Sequence, residues 1–246
     1  MLEGKVVIVT GAGSGVGRGL AAGFCGDGAQ VVGFGRTAAD LEETAERYGQ
    51  GRMSSVVGDL GSAEDIERLF AETEARHGRV DVLVNNAALY PKVLFLEQSM
   101  DDFEAALRVN VVGMARTCHR ALPGMLERGY GRIVNVGSFA HLGPIPTAAV
   151  YSVSKGAVDV LTRALAVEIT HPNVRINHWI PGIYRTRMTP DAGEDPMSAY
   201  AGCRVVATVP QAGPHGETFL KTEIHRDTPS GARAKLKGVA RRLLGG

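Results

Sequence analysis

Apolar residues in this chain fall into short unbroken runs, separated by longer stretches in which they recur every three or four positions. The short runs are KVVIVT (5–10), QVVGFG (30–35), SSVVGD (54–59), VDVLVNN (80–86), GRIVNVGS (131–138) and VRINHWIPG (174–182). Near-continuous hydrophobicity over so few residues predicts strands covered on both faces, as in a parallel sheet. Between them, AADLEETAERYG (38–49) and SAEDIERLFAETEARHG (62–78) carry helical spacing. The second places Ile66, Leu69, Phe70 and Thr73 on one face, behind a capping pair of Ser62 and Asp65. Longer helical segments are predicted at roughly 100–128 and 147–170, and GETFLKTEI (216–224) is the best candidate for a seventh strand.

Strand, helix, strand, repeated, implies right-handed crossovers. The fold class expected is therefore α/β: a single Rossmann-like domain, a doubly wound, mostly parallel sheet of about seven strands with helices on both faces. No repeat, low-complexity stretch or linker divides the 246 residues. With 44% hydrophobic and 22% charged residues the composition is that of an ordinary soluble domain. A net charge of +1 gives no reason to expect nucleic acid as a partner. No apolar run is long enough to span a bilayer, and the start, MLEGKVVIVTGAG, passes straight into a strand with no signal-peptide pattern. Cys25, Cys118 and Cys203 are far apart, and neither they nor the seven histidines show metal-ligand spacing. No metal is expected, and a reducing, cytoplasmic setting is.

Such a sheet binds its ligand at the carboxyl ends of the strands, so chemistry is expected there. After the first strand comes TGAGSGVGRG (10–19), in which Gly11, Gly15 and Gly17 form TGxxxGxG. Glycines at this spacing allow a tight turn, close approach of backbone to a pyrophosphate and tight packing of helix on sheet. The following helix offers unpaired N–H groups and a positive dipole end to phosphates. At the end of the second strand, where an NAD site usually carries an acid for the ribose 2′-OH, the chain has Gly35 and Arg36. A guanidinium pairs with a 2′-phosphate, so NADP is expected over NAD, although Asp40 lies close by in sequence. Asp59 ends the third strand, placed for the adenine, and Asn85 and Asn86 end the fourth. Each of these is also an ordinary turn residue.

Residues 147–156 read TAAVYSVSKG, with Tyr151 one helical turn before Lys155. A phenol with a reference pKa of ~10 is mostly protonated at neutral pH, and a nearby cation favours its ionised form. Ser138, at the end of the fifth strand, is placed to hydrogen-bond a substrate oxygen. Taken singly, each residue has a plainer reading: Asn110 as a back-bonding residue of a kinked helix, Ser138 as a strand-end cap, Tyr151 as a core aromatic with a wet hydroxyl. That Asn110, Ser138, Tyr151 and Lys155 should all be accidents at one predicted face is improbable.

In their order and spacing, TGAGSGVG, the GDL of 58–60, VNNAA, Asn110 in RVNVVG, Ser138 in NVGS, YSVSK at 151–155 and PGIYRT at 181–186 resemble the short-chain dehydrogenase/reductase family, from residue 1 to about 190. The resemblance implies a catalytic tetrad of Asn110, Ser138, Tyr151 and Lys155. It gives Lys155 a second role on the nicotinamide ribose and Asn110 the holding of a water in a proton relay. It places Ser14, Val16, Leu60, Ala87, Pro181, Gly182, Ile183 and Thr186 about the cofactor, with Tyr151 and Lys155 touching it as well. Leu89, Phe139, Leu142 and Tyr184 would line an apolar substrate pocket, with a substrate lid at about 186–200. A homotetramer or homodimer through the helices at 100–128 and 147–170 is also implied. The activity expected is hydride transfer between NADP and a ketone, aldehyde or secondary alcohol, with Tyr151 as acid or base and Lys155 lowering its pKa. The alternatives are a 3-oxoacyl thioester reductase, with Arg185 and Arg187 facing an acyl carrier, and a non-catalytic nucleotide sensor. Two features depart from the family: Ala88 stands where it usually has glycine, and the C-terminal tail at about 229–246 is atypical and basic. There Leu236, Val239, Ala240, Leu243 and Leu244 keep helical spacing among five cations, expected to be a helix packed on its own protein.

Overall fold

Val6–Thr10 (β1) is buried along its whole length, and the direction of each side chain shows why. Val7 and Val9 enter one hydrophobic cluster and Ile8 the other, so the strand is covered on both faces. The computed structural model describes residues 2–226; the basic segment at 229–246 lies outside the described residues. After β1 come Gly15–Gly26 (α1), Gln30–Gly35 (β2), Ala38–Tyr48 (α2), Met53–Val57 (β3), Ala63–His77 (α3) and Val82–Asn85 (β4). Met100–Leu107 (α4) and Met114–Glu127 (α5) precede Gly131–Val136 (β5), and Ala149–Glu168 (α6) precedes Val174–Ile180 (β6). The described chain ends with Tyr200–Ala207 (α7), Thr218–Leu220 (β7) and Glu223–Ile224 (β8).

The sheet runs β3-β2-β1-β4-β5-β6-β7-β8, all parallel except the last pair. Strand order reverses between β1 and β4, which opens the ligand crevice at their carboxyl ends. One face of the sheet packs Leu20, Phe24, Trp179 and Cys203 beneath α1 and α7. The other packs Phe34, Leu69, Phe70, Met125 and Ile176 beneath α3, α5 and α6. Each fully buried side chain of this size contributes ~1.5–3 kcal/mol.

Local signals explain most boundaries. The Ser62 hydroxyl accepts the Asp65 N–H at 3.2 Å, Gly78 closes α3 at φ 76°, and Ile66, Leu69, Phe70 and Thr73 are its buried residues. Three details differ from the sequence reading. The segment 216–224 is two strands, because Lys221 takes φ 53° and turns the chain back, bringing the count to eight. The helix expected at 100–128 is interrupted by a π-helical stretch, Arg108–Gly113. The helix expected at 147–170 starts at Ala149, behind a Thr147 held at φ 67°.

Candidate active site

The glycine turn is built to bring a ligand onto α1. Gly11 has φ 71°, and a Cβ on Gly17 would stand 2.0 Å from the Gly11 carbonyl oxygen, so both positions exclude side chains. Ser14 precedes α1 without capping it, and the first turn holds no acid. The N-terminal N–H groups thus face the crevice with no side-chain oxygen on them, which is the chemistry a pyrophosphate needs. These residues fit a dinucleotide.

Thr10, not singled out in the sequence, ties this turn to β4. Its hydroxyl accepts the N–H groups of Asn86 and Ala87, each at 3.0 Å, and the Asn86 amide donates to the Thr10 carbonyl at 2.9 Å. Asn85 points away from the crevice, buried against Asn135, Thr117 and Cys118. Asp59 accepts the Gly61 N–H at 2.7 Å, while Leu60 is buried in the core and offers a nucleotide only its main chain. Ala88 keeps a negative φ, so the alanine is accommodated where the family usually has glycine.

Arg36 is exposed and enters no ion pair of the described residues. The Asp40 carboxylate is held by Arg187 at 2.6 Å. That pair spans 147 residues and draws the 186–197 segment over the nucleotide turn. Thr186 stands against Gly15, and Pro196 and Met197 against Gly19. A cavity of about 360 Å³ between them is lined by Ser14, Gly15, Arg18, Asp40, Thr186 and Arg187, among others. Gly182 turns the chain at φ 104° after buried Pro181, leaving Ile183 exposed. Arg187 is engaged by Asp40 while its side chain stays largely exposed. Tyr184 is buried and packs in the core cluster.

The four tetrad candidates converge at the carboxyl end of β5. Lys155, 3% exposed, donates to the Val136 carbonyl at 2.7 Å. Its Nζ lies 5.6 Å from the Tyr151 ring centroid. The Ser138 hydroxyl accepts the Ala140 N–H at 3.2 Å and so caps a short 3-10 turn, while its side chain also lowers the Tyr151 phenol in part. His141 donates through Nδ1 to the Ser138 carbonyl at 2.6 Å. Asn110 does not back-bond. Its amide accepts the Leu89 N–H at 2.7 Å and donates to the Leu89 carbonyl at 2.9 Å and to Ser154 Oγ at 3.0 Å. Ser154 in turn donates to the Tyr151 carbonyl at 2.8 Å. The π-helical stretch swings Asn110 into this position.

Burial dominates the electrostatics of the site. Lys155 was expected to pull the Tyr151 phenol down, yet burial holds that phenol above its ordinary value; the Ser138 hydrogen bond offsets this in part, and Tyr90 reinforces it. Lys155 is itself lowered to about 8 by burial, and its Nζ donates to the Val136 carbonyl.

Sequence and fold comparisons place this geometry. A family model described as short chain dehydrogenase matches residues 5–197. The chain belongs to the short-chain dehydrogenase family. Over 201 residues, 79% of this chain and 71% of the relative, it is 38% identical to dehydrogenase/reductase SDR family member 4 of Bos taurus. It is similar to a crystal structure of 3-ketoacyl-(acyl-carrier-protein) reductase from Brucella melitensis complexed with NADH. There the TM-score is 0.84 at 29% identity, covering 89% of this chain and 97% of that one. A point variant of actinorhodin polyketide ketoreductase with NADPH is also similar, with a TM-score of 0.83 at 26% identity over 89% and 96% of the two chains. The chain is accordingly an oxidoreductase of a family that binds NAD(P)H. Among the described residues no helix is long and apolar enough to cross a membrane, and no cluster of His, Cys, Asp or Glu is placed to hold a metal.

Proposed function

We propose that the protein is an NADPH-dependent carbonyl reductase, reversible as an alcohol dehydrogenase, with Tyr151 as its acid and base. The observation that carries this reading is the convergence of Tyr151, Ser138 and Lys155 beside a glycine turn that fits a dinucleotide. The nicotinamide supplies the hydride when bound. Tyr151 donates its proton to the substrate oxygen in reduction, and Ser138 orients that oxygen and stabilises the charge developing on it. Lys155, close by as a cation, stabilises the phenolate once formed and is placed to hold the nicotinamide ribose. Asn110 supports the relay by fixing the loop and helix that frame the phenol. Exposed, unpaired Arg36 recognises the 2′-phosphate. The 186–200 segment closes over nucleotide and substrate together, through Thr186 and the Arg187–Asp40 pair.

A narrower version, reduction of 3-oxoacyl thioesters, is favoured by the apolar mouth. Phe139, Leu142 and Ile145 are exposed beside Ser138, and the two similar solved structures carry ketoreductase names. Val153, Val160 and Val167 form an exposed stripe at seven-residue spacing on α6, at 55%, 58% and 79%, and we assign this face to a homo-oligomer contact. The three free, buried cysteines suit a reducing, cytoplasmic setting.

Loss of reduced-nicotinamide absorbance, followed with NADPH or NADH against a panel of ketones, aldehydes and a 3-oxoacyl thioester, tests the reading. Turnover with NADPH well above NADH is expected. Nucleotide binding without turnover of any panel member would favour a nucleotide sensor instead.

A further inference from the structure

Tyr90 is in direct contact with the site, and neither the tetrad nor the cofactor reading uses it. It lies on the loop after β4, and its ring stacks on that of Tyr151, with centroids 4.5 Å apart and planes inclined by 24°. An offset parallel pair at this distance is attractive beyond its buried area, but the pairing does not rest on stacking alone. Asn110 grips both the N–H and the carbonyl of Leu89, the residue before Tyr90, and reaches across to Ser154. Ser154 holds the carbonyl of Tyr151. The two stacked tyrosines thus hang from opposite arms of one asparagine, and their separation is built into the framework.

We propose that Tyr90 is a positioning and specificity-determining residue: a fixed aromatic wall that covers one face of Tyr151, orients its ring and keeps water from that side. The inference rests on the carbonyl-reductase reading of the same site. A carbonyl reaching the phenol then cannot place a bulky or branched substituent on the Tyr90 side. The larger substituent must point toward Phe139, Leu142 and Ile145, and the group next to Tyr90 must be small or flat. Such a wall favours methyl ketones and planar aryl or conjugated ketones over carbonyls branched on both sides. Among the described residues, the ionisable groups about the pair are Lys155 from α6, Nζ 5.6 Å from the Tyr151 centroid, Tyr90 itself, Lys92 over the Tyr90 ring at 5.7 Å, and His141 on the Ser138 carbonyl. Removing the wall hydrates Tyr151, weakening the desolvation that leads its upward shift, so the alkaline loss of reductase activity should begin at lower pH.

The test compares wild type, Tyr90→Leu, Tyr90→Phe and Tyr151→Phe by two readouts. The first is kcat and KM for a methyl aryl ketone and for a ketone branched on both sides, across pH. Tyr90→Leu should shift the kcat/KM ratio toward the branched ketone by at least about 10-fold, the scale of one reshaped apolar contact, and move the alkaline limb to lower pH. Tyr90→Phe, which restores the ring, should recover most of the selectivity. The second readout needs no turnover: NMR titration of protein carrying labelled tyrosine ring carbons, with the Tyr151 resonance identified by its loss in Tyr151→Phe. That resonance should titrate at lower pH in Tyr90→Leu than in wild type. Unchanged selectivity and unchanged titration in Tyr90→Leu would overturn the role of Tyr90 while leaving the reductase reading intact. A wild type inactive on every carbonyl would instead remove the reductase reading, and the titration would still decide whether Tyr90 controls the phenol.

Discussion

At the scale of single residues, Arg36 and Tyr151 carry the account. Arg36 is exposed and enters no ion pair among the described residues, and the Asp40 carboxylate is paired with Arg187. Arg36→Asp should therefore lower the ratio of kcat/KM for NADPH over NADH by about 10- to 100-fold, the value of a charge-assisted bond or two, as measured by initial rates with each coenzyme. No change in that ratio would refute the assignment. Tyr151 and Lys155 were legible because their spacing is local and their residue types are chemically specific. The partners of Asn110 were not: Leu89 and Ser154 lie 21 and 44 positions away, and nothing in the pattern of a loop announces which carbonyl an amide will grip. Tyr90 was illegible for the same reason, since its stack on Tyr151 depends on how the loop after β4 is hung.

At the scale of elements, β5 and β6 are coupled by an uncommon fit. His178 on β6 is fully buried, and its Nε2 would lie 1.9 Å from a Cβ on Gly137, so the glycine at the end of β5 makes room for the imidazole. Gly137→Ala should cost ~1–3 kcal/mol by overpacking. In a double-mutant cycle, His178→Ala should remove most of that penalty, whereas additive costs in urea melts would show that the two positions do not meet. Burial also pushes the His178 imidazole down, against the opposing pull of Asp159. Below the unfolded imidazole value of ~6.5, the unfolded chain takes up a proton that the folded chain refuses, so stability falls as pH drops. His77 and His215, lowered by burial as well, act in the same sense. Urea midpoints at pH 7 and pH 5 should therefore differ more for wild type than for His178→Asn; equal differences would assign the acid sensitivity elsewhere. The alternation of strands and helices was readable because burial on both faces leaves continuous apolar runs. The hairpin inside 216–224 was not, because Lys221 makes its turn at positive φ without a glycine to mark it. The π-helical stretch escaped for a related reason: one shifted hydrogen bond leaves the apolar spacing almost unchanged.

At the scale of the whole molecule, the eight-stranded order puts the glycine turn, the end of β4 and the tetrad candidates around one crevice. The order of the sequence runs implied chemistry at the carboxyl ends of the strands, and the family resemblance supplied the tetrad. The valine stripe on α6 remains uncovered within the described chain, and Val160→Glu should shift the protein to a smaller species in light scattering while leaving the fold of the protomer intact; an unchanged mass would move the oligomer contact to another face. Family, fold and site meet most directly in one comparison of wild type with Tyr151→Phe, with NADPH affinity and carbonyl reduction measured on the same preparations. Removal of a general acid costs about 10²- to 10⁴-fold. The expected result is nucleotide affinity near that of wild type with turnover lost to that extent; turnover surviving the loss of the phenol would contradict Tyr151 as the acid.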